Sequence, residues 1–121
     1  MADLKTGNSR HKLAERKNDL YESPPEAVRS LLAVEHIADT VWEPACGPGS
    51  IVTTLRDAGR TVIATDLVDY GCPGQQSGRD FLFEQTMPAG CDTVVTNPPY
   101  KLAAPFVRHA LIWVPRKSAC Y

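Results

Sequence analysis

"TVWEPACGPGSIVTTLRDAGRTVIATDL", from Thr40 to Leu67, sets two apolar runs on either side of a glycine turn and a stretch of helical periodicity. The first run, "TVWE", reads as a short buried strand. It leads into Gly47 and Gly49, which allow a tight turn and a close approach of backbone to a ligand. "SIVTTLRDAG" then reads as a helix closed by Gly59, and "TVIATDL" as a second strand.

The alternation continues in both directions. Upstream, "PPEAVRSLLAVEHI" brings Val28, Leu31, Leu32 and Ile37 near one helical face. Ser23 and Glu26 stand at capping-box spacing, with prolines in the first turn, where a missing N–H costs nothing. Downstream, residues 70 to 79 form a Gly-rich loop, followed by the apolar piece "DFLF". "CDTVVTN" is a third clear strand and "APFVRHALIWV" the helix after it. This order predicts an α/β fold, a doubly wound parallel sheet whose strands are apolar on both faces because helices cover both.

Composition bounds the function classes. A chain of 121 residues, 43% apolar and 22% charged, is one domain with a modest core. No stretch reaches the roughly 20 apolar residues of a membrane span, and the first 20 residues lack the apolar core of a secretory signal, so a cytoplasmic protein is expected. Those residues carry Lys5, Arg10, Lys12, Arg16 and Lys17 and read as a mobile polar arm ahead of a domain spanning 21–121. Net charge is −1, unlike a face that binds nucleic acid tightly by charge alone. Cys46, Cys72, Cys91 and Cys120 are scattered without metal-site spacing, so reduced thiols and no metal are expected.

In such a sheet, ligands bind at the carboxyl ends of the strands. The first strand ends in the glycine turn. The second ends at Asp66, about 20 residues after Gly47, the distance at which a carboxylate can accept hydrogen bonds from a ribose. A nicotinamide cofactor is the obvious alternative, but the third glycine of Gly-x-Gly-x-x-Gly falls on Val52. A ligand with one ribose and no phosphate fits better. The third strand ends in Asn97, Pro98, Pro99 and Tyr100. An exocyclic amine on an aromatic ring is a poor nucleophile, because its lone pair is delocalised, and a catalyst must supply acceptors for its N–H protons. The Asn97 side-chain oxygen and the Pro98 carbonyl can do that, two prolines stiffen the backbone, and Tyr100 offers a ring for a flat base.

These residues also carry a resemblance. "EPACGPGS", "ATDL", "DFL" and "TNPPY", in this order, look like the motifs of class I S-adenosylmethionine-dependent methyltransferases with an Asn-Pro-Pro-Tyr motif, and "YESPPEAVRSLL" is similar to the segment preceding the glycine turn in adenine-specific DNA amino-methyltransferases. The similarity spans roughly residues 21 to 113. It implies a Rossmann-like fold and S-adenosyl-L-methionine as cofactor. Tyr21, Ser23 and Pro24 would then sit near the methionine end, while Glu43, Ala45, Gly47 and Gly49 line the methionine and ribose. Asp66 would bind the ribose hydroxyls, Asp80 the adenine amino group, and Phe81 would pack on the adenine ring. Asn97, Pro98, Pro99 and Tyr100 would hold the amine to be methylated.

The resemblance makes adenine in DNA the first expected substrate, with RNA or a protein glutamine amide as alternatives. Family domains continue into three further strands and, in the DNA enzymes, a target-recognition region, whereas this chain ends in "VPRKSACY". The chain is therefore expected to hold strands three, two, one and four of the family order. That leaves "CDTVV" as an uncovered edge inviting self-association or a partner subunit. A non-catalytic cofactor-binding or interaction remnant is the competing expectation.

Overall fold

The computed structural model describes residues 22–113 and 118–120. The polar arm and Tyr21 lie outside the described residues. In chain order the elements are α1 (Pro25–Val34), β1 (Thr40–Glu43), α2 (Ser50–Asp57), β2 (Thr61–Ala64), β3 (Thr93–Thr96), α3 (Ala103–Trp113) and β4 (Ser118–Cys120). Single 3-10 turns occupy Phe81–Phe83 and Tyr100–Leu102. The strands form one parallel sheet in the order β2-β1-β3-β4. Among the described residues no helix is long and apolar enough to cross a membrane.

Successive strand residues point to opposite faces, and two apolar clusters separate accordingly. Val41, Val62, Ala64 and Val95 pack with Val28 of α1 and Ile51, Val52 and Leu55 of α2. Trp42 and Val94 pack with Phe81, Phe106 and Ala110 on the other face, where α3 lies. Both faces are thus covered, which is why β3 is buried at every position. The Trp42 indole N–H, taken into this core, donates to Thr65 Oγ1 at 3.0 Å, the partner a buried indole needs.

Three expectations are corrected. The capping box is not formed: Pro24 is the N-cap residue of α1, without a side-chain cap, and the Ser23 hydroxyl is buried without a hydrogen-bond partner. The third strand of the family order is not formed among the described residues. Asp80 accepts from Leu82 N–H at 3.1 Å and starts a 3-10 turn instead, and only the isolated bridge Thr65↔Gln76 lies outside β2. Nor is β3 the uncovered edge, because Ser118–Cys120 pairs along it from Val94 to Thr96.

Gly47 and Gly49 both adopt positive φ, 52° and 104°, as the tight turn requires. A Cβ on Gly49 would lie 2.9 Å from Cys72 Sγ, whereas one on Gly59, φ 85°, meets nothing within 4 Å. Left-handed backbone costs a non-glycine residue about 1–2 kcal/mol. Gly59→Ala is expected to lose about that much in urea denaturation, and Gly49→Ala clearly more, with the loop carrying Cys72 displaced. Equal losses would show that Cys72 gives way freely.

Candidate functional site

β1 pairs with β2 on one side and β3 on the other, so the chain diverges on either side of β1 and a crevice opens at the carboxyl ends. Register sets its geometry. Glu43 pairs with Ala64, and Trp42 with Val94, so one step further along places Val95 level with Glu43. Ala45, Asp66 and Asn97 each follow that level by two residues.

The residues there enclose a cleft of about 460 Å³, part of it open solvent, lined by Glu22, Ser23, Glu43, Ala45, Cys46, Gly47, Pro48, Ser50, Ile51, Asp66, Tyr70, Asn97 and Pro99. Its floor is cross-linked by backbone and carboxylate. Gly47 N–H donates to Asp66 Oδ2 at 2.9 Å, Leu67 N–H to Asp66 Oδ1 at 2.6 Å, and Ala45 N–H to Glu43 Oε2 at 2.8 Å. Cys46 N–H donates to the Thr65 carbonyl at 3.1 Å. Near the mouth, the Ser50 hydroxyl donates to Glu22 Oε1 at 3.0 Å. Among the described residues the lining holds three acidic side chains, Glu22, Glu43 and Asp66, and no Lys, Arg or His, which favours a ligand with cationic and hydroxyl groups over a phosphate.

Burial pushes the Glu43 carboxyl from its ordinary 4.5 up to about 8, and the neighbouring Asp66 charge adds to the rise. The Thr96 hydroxyl, which closes no hydrogen bond of good geometry, and the Ala45 N–H offset part of it. Burial also pushes the Cys46 and Cys72 thiols upward, so neither is a poised nucleophile.

Of the residues anticipated from the sequence, Ser23, Glu43, Ala45, Gly47, Asp66, Asn97 and Pro99 line the cleft. The others do not. Pro24 is exposed at the start of α1, and Gly49 packs against Cys72. Pro98 is buried, and Tyr100 is 83% exposed. The adenine packing expected of Phe81 is corrected, and Asp80 lies outside the cleft lining. Asp80 caps the turn that follows it. Phe81 is 1% exposed, its ring 5.1 Å from Trp42 and 4.9 Å from Phe106. Glu22, Cys46, Pro48, Ser50, Ile51 and Tyr70 were missed. Most adjoin a motif in sequence, and Tyr70 was signalled only as an aromatic residue opening the Gly-rich loop after Asp66.

Comparison of the chain with protein-family models, with curated proteins and with solved structures finds no match in any of the three.

The raised Glu43 value makes a pH prediction. The folded chain holds this proton more tightly than the unfolded chain, so the stability it contributes is whole below about pH 4.5 and is lost as pH rises through about 8. Glu43→Gln removes a slope of up to roughly 1.4 kcal/mol per pH unit. Melting temperatures measured between about pH 5 and pH 9 should fall less in the variant than in the parent. Parallel curves would mean that Glu43 titrates like an exposed carboxylate.

Proposed function

We propose that this chain is a class I, Rossmann-like S-adenosylmethionine-dependent methyltransferase acting on an exocyclic amino nitrogen, with adenine in DNA as its substrate. The observation that carries the reading is that Glu43, Gly47, Asp66 and Asn97, from three separate motifs, converge on one acid-lined cleft at the carboxyl ends of β1, β2 and β3.

The residues present fit the cofactor. The buried Ser23 hydroxyl lacks a partner in the cleft wall, where a polar ligand would supply one. Asp66 accepts an N–H at both oxygens and stands after β2 at the cleft wall, the place of a ribose-binding carboxylate. Glu22 suits a positive charge on the ligand, and Glu43, which burial leaves protonated near neutrality, would give up its proton beside a cation. When bound, S-adenosylmethionine supplies an electrophilic methyl group on a positively charged sulfur. The chain's part is positioning and electrostatics. Asn97 Oδ1 and the Pro98 carbonyl accept the N–H bonds of the target amine, which draws its lone pair toward the methyl carbon. The proton that the nitrogen would shed on methylation would pass to solvent. Tyr100, whose ring is exposed beside this motif, offers a face to the flat base.

Calorimetric titration with S-adenosylmethionine tests the cofactor, and methyl transfer to DNA, RNA and protein pools tests the acceptor. Asp66→Ala should weaken cofactor binding by about 1–3 kcal/mol. Affinity equal to that of the parent would defeat the ribose assignment. Asn97→Ala should keep cofactor affinity within about twofold and lower methyl transfer by about a hundredfold, because its interaction strengthens as the nitrogen gains positive charge. Undiminished transfer in that variant would remove the amine mechanism.

A further inference from the structure

The corrected position of Phe81 leaves the nucleobase of the proposed ligand without the ring the sequence had assigned to it. Topology indicates where that base must lie. A methyl group delivered to an amine held at Asn97 has to sit at the β3 side of the cleft. The ribose, held by Asp66, then sits at the β2 side, because the sheet order is β2-β1-β3. The base continues outward past β2, toward the segment between Asp66 and Gln76, which returns along the outer side of β2 through the bridge Thr65↔Gln76.

Tyr70 stands in that segment and, among the described residues, is the only aromatic one lining the cleft. Its backbone is held from several directions. Tyr70 N–H donates to Gln75 Oε1 at 3.4 Å, and Gln75 Nε2 donates to the Val68 carbonyl at 2.5 Å. Gly71 N–H donates to Asp69 Oδ1 at 2.8 Å. Arg56 of α2 anchors the far side of the loop through Nη1 to the Pro73 carbonyl at 2.6 Å. A loop held in this way keeps Tyr70 at the cleft wall, so less ordering is left to the moment of binding.

We propose that Tyr70 is a ligand-binding and specificity residue whose ring packs on the adenine of the cofactor. The inference rests on the methyl-donor reading for the direction in which the ligand lies. Stacking on an aromatic side chain is worth enough that alanine substitution weakens binding by roughly tenfold or more.

The test is titration of the parent, Tyr70→Ala and Tyr70→Phe with adenosine and with S-adenosylmethionine. Fluorescence of 2-aminopurine riboside, which stacking quenches, supplies a second readout. Melting temperatures show that each variant is folded, and Tyr70→Leu replaces the alanine variant if that one is not. The expected result is an affinity loss of about tenfold or more for both ligands and loss of quenching in Tyr70→Ala, with both retained in Tyr70→Phe. Adenosine and S-adenosylmethionine affinities unchanged in Tyr70→Ala overturn the inference and leave the methyl-donor reading standing. A phenylalanine variant as weak as the alanine variant overturns ring packing in favour of the hydroxyl. Tyr70-dependent binding of adenosine without any binding of S-adenosylmethionine supports the ring and sinks the methyl-donor reading. A parent that binds neither ligand overturns both.

Discussion

The hydrogen bond from Gly47 N–H to Asp66 Oδ2, 2.9 Å long and buried, is the constraint on which the cleft depends. It ties the turn leaving β1 to the carboxyl end of β2. A bond of an N–H to a carboxylate is among the stronger ones available to a backbone donor. Asp66 is 2% exposed, so a turn that failed to present this donor would leave a buried carboxylate short of a partner. Only a turn that reverses direction at once can present it, and Gly47 at φ 52° permits that reversal. Burial keeps the proton on Glu43 near neutrality, and the neighbouring Asp66 charge adds to the cost of ionising it.

The sheet around this point is small, with no strand longer than four residues. Its rigidity comes from being covered on both faces and from side chains that fasten loops to elements. Arg56 illustrates this. From α2 it donates to the carbonyls of Val62 and Pro73, linking helix, strand and the loop carrying Tyr70. On the opposite face, Phe81 joins Trp42, Phe106 and His109 in edge and tilted ring contacts, and the His109 ring reaches the Glu84 carbonyl at 2.8 Å. The segment between β2 and β3 is thereby packed down on α3, and its first half borders the cleft.

What the sequence disclosed, and what it did not, follows from the range of the interactions involved. The strand, glycine turn, helix and strand from Thr40 to Ala64 were legible because their signals are local: β-branched runs, positive-φ glycines and a helical period. Asp66 was legible because its distance from Gly47 is fixed by the same unit. Ser23 misled because a hydroxyl ahead of a helix has the same local pattern whether it caps or faces a cleft, and Pro24 takes the cap position. Phe81 misled because an aromatic residue after Asp80 reads alike in a binding wall and in a core. Only the tertiary contact with Phe106 of α3 separates the two. The pairing of Ser118–Cys120 with β3 depends on a crossover that no local pattern records.

The prolines at the end of β3 show how register and chemistry meet. A proline has no N–H to give to a neighbouring strand, so neither Pro98 nor Pro99 can donate to β1 or β4, and β3 ends at Thr96. The next side chain, Asn97, is therefore the first one freed from the pleat, and the register places it level with Asp66 and Ala45 across the cleft. A polar group at such a point is fixed by the sheet while remaining outside its hydrogen-bond ladder. Asn97 lines the cleft and Tyr100 stands exposed three residues on. In the proposed reaction the end of this one strand would face the methyl donor on one side and solvent-borne substrate on the other.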